Sequence, residues 1–240
     1  ETECHGALAI GVSEETANAI FDEMSNFAKY AFNKSHAAAY AFVSYQTAWL
    51  KCHYPCELLA ATLTSVLDSS AKVSNYIAEA SRLGIRVLAP SVNSSFEGFT
   101  VKKGAIRFGL LAIKNLGRGF ISQIISERKL NGEYSGLYDF CLRVHGKDFN
   151  RRSIESLIKS GALDGLGANR RQMMLVLPEI IEELDNSRHR NISGQIGFFD
   201  LLSEDEEASR STTKIDYPDV EEFPVSSLLK SEKEITGLYL

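Results

Sequence analysis

Apolar positions along the chain fall first into a helical rhythm. Ala17, Ile20, Phe21, Met24 and Phe27 recur at spacings of three and four, which puts them on one face of a helix. Ser13 suits the position before that helix, and Glu14 and Glu15 suit its positive end, so the spacing predicts a helix that fades near Tyr30. A second helix is expected to begin after Ser35 and to run through Ala37-Ala38-Ala39 to about Cys52, stopped by Tyr54-Pro55. Pro55 fits the first turn of a third helix reaching Leu67. A fourth, capped by Asp68 or Ser69, should end at Gly84.

The rhythm then changes. Ile85-Arg86-Val87-Leu88 reads as a short strand. Phe99 and Val101 lead through Lys102-Lys103-Gly104 into Ile106-Arg107-Phe108, the pattern of a small β-hairpin. From Leu110 to about Asp185 the helical pattern returns, broken by Gly-rich turns. Gly194-Gln195-Ile196-Gly197-Phe198-Phe199-Asp200 reads as a docking segment, and residues 203–222 as an acidic linker. The fold class expected is mainly α: a multi-helix lobe with a small β-hairpin (1–109), a tandem helix-hairpin-helix module (110–190) and an acidic linker toward a further domain (191–240).

Composition adds few restrictions, and charge adds a useful one. The chain of 240 residues is 44% hydrophobic and 24% charged, an ordinary globular balance. No run of about 18 apolar residues suggests a membrane span. Four irregularly spaced cysteines fit a reducing cytosol better than a disulfide framework. The chain opens at Glu1 without an initiator Met or a signal-like segment and stops within an apparently structured run, which reads as a piece of something longer. The net charge of −5 argues against a polyanionic partner only until it is divided. Residues 1–100 carry −4, residues 101–190 carry +6 and residues 191–240 carry −7. A local basic face, rather than the total, sets affinity for a polyanion.

Three constellations could carry chemistry. In the first, Phe32-Asn33-Lys34-Ser35-His36-Ala37-Ala38-Ala39-Tyr40, a Ser at the mouth of an Ala-rich helix is flanked by Lys and His. Backbone N–H groups, the helix dipole, Lys34, Ser35 and His36 together form a plausible phosphate cradle. The alternative is a capped core helix with solvated Lys and His. In the second, Lys114-Asn115-Leu116-Gly117-Arg118-Gly119 joins an apolar helix end to another apolar helix. Glycines let a backbone turn tightly and approach a phosphate closely, and Lys114 and Arg118 supply charge. The third repeats the theme about 45 residues on: Gly161, Gly165 and Gly167 precede Asn169, Arg170 and Arg171. Such contacts ignore base identity. The alternative for these arginines is a solvated helix start. Cys52, His53 and Cys56 lack the fourth ligand and the second cluster that a zinc site needs.

The run from Phe32 to Pro55 strongly resembles the fingers region of the alpha subunit of bacterial DNA polymerase III, the C-family replicative polymerases. The two Gly-rich turns resemble that family's tandem helix-hairpin-helix unit. Gly194-Gln195 with Phe198-Phe199-Asp200, and Glu232 to Gly237, resemble its link toward an oligonucleotide-binding domain. The resemblance implies that Lys34, Ser35 and His36, with Asn33 and Tyr40, hold the triphosphate of an incoming dNTP, and that the hairpins grip primer-template duplex without regard to sequence. It further implies template-directed DNA synthesis by the parent enzyme, a cytoplasmic setting and other replicase subunits as partners. Two-metal nucleotidyl transfer needs clustered carboxylates. No Asp-x-Asp occurs in this chain. Mg²⁺ and the catalytic residues are therefore expected to belong to the family's palm, with none in this span, which should be inactive alone. The competing reading is a non-enzymatic helix-hairpin-helix binder or scaffold, which would have no need of the dNTP cradle.

Overall fold

The computed structural model describes residues 6–29, 34–146, 148–192 and 215–239. It divides into two compact units, Glu1–His53 and Tyr54–Leu240.

Among the described residues the first unit holds a 3-10 turn, Ala7–Ile10, and the helices α1 (Glu14–Lys29) and α2 (Lys34–His53). Ser13 acts as the sequence suggests. Its Oγ accepts the Thr16 backbone N–H at 3.2 Å, while Glu14 and Glu15 stand in the first turn of α1. The apolar stripe of α1 is outward: Ile20, Phe21, Met24 and Phe27 are all exposed. On α2, Tyr40, Phe42, Tyr45 and Trp49 are exposed, and no residue of that helix is buried.

The second unit begins with α3 (Pro55–Ser65), with Pro55 in the first turn as its fixed φ favours, and continues with α4 (Ser70–Arg82). Ser69 does occupy the cap position of α4, but its side chain makes no capping hydrogen bond. Three short strands follow: β1 (Val87–Leu88), β2 (Thr100–Lys102) and β3 (Ala105–Arg107). The expected hairpin is β2–β3, antiparallel, with Val101 opposite Ile106. Lys103 and Gly104 both take positive φ, 51° and 72°, the backbone that matches a two-residue turn to strand twist. The pattern did not reveal that β1 pairs parallel to β3, making a three-stranded sheet in the order β1-β3-β2.

The remaining helices are α5 (Arg118–Asn131), α6 (Leu137–Val144), α7 (Arg151–Lys159), α8 (Arg170–Ile192) and α9 (Val225–Thr236). One hydrophobic core runs from Leu59 on α3, through Phe108 after β3 and Phe120 and Phe140 on α5 and α6, to Ile235 on α9. Polar pins cross it. Asn93 exchanges two hydrogen bonds with the Tyr134 backbone, at 2.9 and 2.8 Å. The Tyr134 hydroxyl donates to the Ile124 carbonyl at 2.8 Å, and burial pushes its pKa up to about 12. The buried Arg128 guanidinium donates to the Val92 carbonyl at 2.5 Å.

Two expectations change here. The arm before Gly117 is a single 3-10 turn, Leu110–Ala112, instead of an α-helix end. Within the expected linker, residues 215–222 are placed against α8, as set out below. The expected docking segment at 194–200 lies outside the described residues.

Candidate nucleic-acid interface

Between the 3-10 turn and α5, the first hairpin spans residues 113–117. Its loop is pinned from behind. Ser153 Oγ donates to the Asn115 carbonyl at 2.9 Å, and the Asn115 amide donates to Ser156 Oγ at 3.0 Å. These bonds hold Asn115 at a φ of 66°, a conformation that Asn tolerates better than most residues. They also seat the loop beside the first turn of α7, where Arg151 and Arg152 are exposed. Asn150 caps α7 by accepting the Ser153 N–H at 2.9 Å.

Gly117 is the cap residue of α5, with φ −83° and no capping side chain. A Cβ added there would meet nothing within 4 Å, so the approach to the helix end is open. Among the described residues no group accepts a hydrogen bond from the backbone N–H of Arg118, Gly119 or Phe120. Asn115, Gly117, Arg118 and Gly119 are all exposed. Gly119 has a different constraint, since a Cβ would lie 2.5 Å from the Asp148 carboxylate. Lys114 faces away from this opening in its contacts. Its N–H donates to the Ile235 carbonyl at 3.0 Å and its Nζ to the Glu234 carbonyl at 2.7 Å, which ties the loop to the end of α9. The Arg118 guanidinium pairs with Glu97.

The second hairpin, residues 160–169 between α7 and α8, looks similar in sequence and is built otherwise. Gly161 is buried at φ +76°, and a Cβ there would sit 2.3 Å from the Arg170 guanidinium. Gly161 is therefore a packing glycine and not a point of phosphate approach. Gly165 and Gly167 are exposed, at φ +86° and +85°, and serve the turn. Arg170 is likewise corrected from a phosphate contact to an internal clamp. It bonds Asp164 through Nε and Nη2 at 2.9 and 2.7 Å, Glu232 through Nη1 at 2.9 Å, and the Lys159 carbonyl at 3.3 Å. Desolvation pulls its pKa down, but bonds and charge from Asp164 and Glu232 outweigh that and raise it.

The end of α8 is fully provided with acceptors. Asn169 and Gln172 form a reciprocal capping box, each side-chain oxygen accepting the other's backbone N–H, at 2.8 and 2.9 Å. The Arg170 and Arg171 N–H groups donate to the two carboxylate oxygens of Glu222, at 2.8 and 3.0 Å. Burial raises the Glu222 pKa, and the N–H bonds from Phe223, Arg170 and Arg171 more than offset it, holding the carboxyl below its usual value. The surrounding strap, residues 215–224, is held by the Asn169 amide on the Val220 carbonyl and the Gln172 amide on the Pro218 carbonyl, both at 2.9 Å. Arg171 itself is exposed. Sequence reasoning assigned Glu222 to a linker, because nothing local marks a carboxylate 51 residues downstream as the partner of a helix end.

The candidate dNTP cradle lies in the first unit. Lys34, Ser35 and His36 form the first turn of α2, and all are exposed. Lys34 is already helical, so Ser35 sits inside the turn instead of capping it. The His36 and Tyr40 rings lie one turn apart, tilted by 52° with centroids at 4.3 Å, which gathers both on one face. Asn33 lies outside the described residues. Cys52 is exposed, and Cys56 donates its thiol to the Gly104 carbonyl at 3.5 Å. Among the described residues no three His, Cys, Asp or Glu are placed to hold a metal ion, and no helix is long and apolar enough to cross a membrane.

Residues 84–173, which include β1 to β3 and both hairpins, match the family model described as helix-hairpin-helix motif. The chain is similar to DNA polymerase III subunit alpha of Xylella fastidiosa, 44% identical over 235 residues, which is 98% of this chain and 19% of that protein. It is also similar to the subunits of the same name in Escherichia coli, 41% identical over 236 residues, and Borreliella burgdorferi, 40% identical over 235, with 98% of this chain and 20% of each protein aligned. The chain thus spans about a fifth of the length of the curated relatives it matches.

Proposed function

We propose that the chain is one segment of a DNA polymerase III alpha subunit, the part of a replicative DNA polymerase that grips duplex backbone and incoming nucleotide, as its 41–44% identity to such subunits supports. The observation that carries the duplex half is the open first turn of α5, where three backbone N–H groups without acceptors among the described residues face an exposed Gly-bearing loop. Amides and a helix dipole presented this way suit a phosphate oxygen of any sequence. Arg118 and Arg151, paired with Glu97 and Glu155, and Arg152 are exposed around it. A non-enzymatic helix-hairpin-helix scaffold would account for these features alone, but not for 40–44% identity to polymerase subunits along 98% of the chain.

The nucleotide half rests on the resemblance of the Phe32–Pro55 run and on the placement of Lys34, Ser35, His36 and Tyr40 at the start of one helix. Lys34 would neutralise triphosphate charge, the first-turn amides and Ser35 would donate hydrogen bonds, and His36 and Tyr40 would line the same face of the helix. Any Mg²⁺ of the parent enzyme would, on this reading, be held by clustered carboxylates of the palm, as two-metal nucleotidyl transfer requires. Polymerisation, a cytoplasmic setting and contact with other replicase subunits are properties we propose for the parent protein, with this segment inactive on its own.

The test of the duplex half is titration of a fluorescent random-sequence duplex with the chain across salt. Binding should be indifferent to sequence and should weaken linearly in log salt. No binding at low salt would sink this half. For the nucleotide half, Lys34→Ala with His36→Ala in the intact polymerase should raise the KM for dNTP. An unchanged KM would refute the cradle.

A further inference from the structure

The two hairpins differ in what meets the helix that follows. At α5 the first-turn amides have no acceptor among the described residues. At α8 a carboxylate from the strap takes the two N–H groups that the Asn169–Gln172 box leaves over. Glu222 accepts three backbone N–H groups in all, from Arg170, Arg171 and Phe223, the last at 2.7 Å. Two oxygens of one anion, bonded to consecutive amides at the positive end of a 23-residue helix and flanked by two arginines, reproduce the contacts of a backbone phosphate at such a turn.

We propose that Glu222 is a resident phosphate surrogate, a carboxylate that fills the anion seat of the second hairpin so that this hairpin binds the chain's own acidic strap in place of an external phosphate. The inference deepens the hairpin reading and rests on it for the meaning of the seat. The strap is fixed on both sides of the seat. Upstream lie the bonds to the Val220 and Pro218 carbonyls. Downstream, α9 brings Glu232 onto Arg170, and Ile235 is buried in the core. Occupancy by a tethered carboxylate at a high local concentration excludes a free anion without any rearrangement.

The experiment is thermal melting of the chain in chloride and in inorganic phosphate at equal ionic strength and pH, for the unsubstituted chain, Glu222→Ala and Glu221→Ala. Glu221 is exposed and carries the same charge on the same strap, outside the seat. Glu222→Ala should melt several degrees lower, and phosphate should return at least half of that loss in a saturable manner. The other two should show only a smaller common shift, from the general effect of an excluded salt and from any phosphate held at α5, which all three chains share. If Glu222→Ala gains no more from phosphate than Glu221→Ala, the proposal is overturned. Should Glu222→Ala fail to fold in chloride, its folding on titration with inorganic phosphate, followed by circular dichroism, is judged against the same titration with sulfate-free chloride, and the absence of phosphate-dependent folding overturns the proposal. Absence of duplex binding by the unsubstituted chain would overturn the duplex reading alone, since the melting comparison contains no DNA.

Discussion

Replacing Arg170 with alanine should destabilise the chain by about 3–5 kcal/mol, the range for removing one partner of a buried ion pair. Its side chain is 12% exposed and that of Glu232 is 7% exposed, so the guanidinium and this carboxylate meet largely out of water. Removing the guanidinium deprives Glu232 of its cation there and breaks a two-point bond to Asp164 at the same stroke. The void would lie against Gly161, whose lack of a side chain makes room for the guanidinium. Lysine should rescue little, because a single ammonium cannot reproduce the fork that reaches Asp164, Glu232 and the Lys159 carbonyl together. Arg171→Ala is the control. That residue is exposed, and its contacts are long, 3.4 Å to the Glu221 carbonyl and 6.0 Å to the Phe223 ring, so about 1 kcal/mol or less is expected. Denaturant melts of the three variants decide the matter. A loss below about 1 kcal/mol for Arg170→Ala would mean that the clamp is not structural.

The contrast between these neighbouring arginines shows where sequence reading stops. Periodicity and punctuation located α1 to α4 within a few residues, because Ser13, Pro55 and Gly84 act through local backbone chemistry. The β2–β3 hairpin was legible for the same reason: Lys103-Gly104 fits the turn, and Val101 and Ile106 stand opposite each other. The pairing of β1 with β3 was not, since it depends on a crossing of many residues that no local signal encodes. At the candidate sites the residue types were legible but their employment was not. A Gly-x-Gly turn with arginines reads alike whether its amides lack an acceptor among the described residues, as after Gly117, or meet a carboxylate from the far end of the chain, as after Asn169. Lys114, Gly161 and Arg170 were drawn into the structure by partners 120, 9 and 62 residues away.

That difference makes the two hairpins respond unequally to the same kind of substitution. Gly117→Val should lower duplex affinity at least about tenfold at low salt, since one hydrogen bond to a charged group contributes roughly 1.5–3 kcal/mol and tenfold corresponds to about 1.4. The substitution suits the backbone: φ −83° and ψ 152° are extended values that Val prefers, and no atom lies within 4 Å of the new Cβ. Stability should therefore change by about 1 kcal/mol at most. The methyl groups would instead crowd the approach to the Arg118, Gly119 and Phe120 amides, where a phosphate must come close to bare backbone. The salt dependence should flatten by about one in slope for each phosphate that the variant no longer holds. Gly165→Val is expected to do the reverse. At φ +86° a β-branched residue is strained by roughly 1–3 kcal/mol, so it should lower the melting point while the folded fraction keeps its duplex affinity. Equal losses of affinity for the two variants, each corrected for the folded fraction, would show that both hairpins touch DNA. An unchanged affinity for Gly117→Val would remove the first hairpin from the interface and move the search to Arg151 and Arg152 at the start of α7.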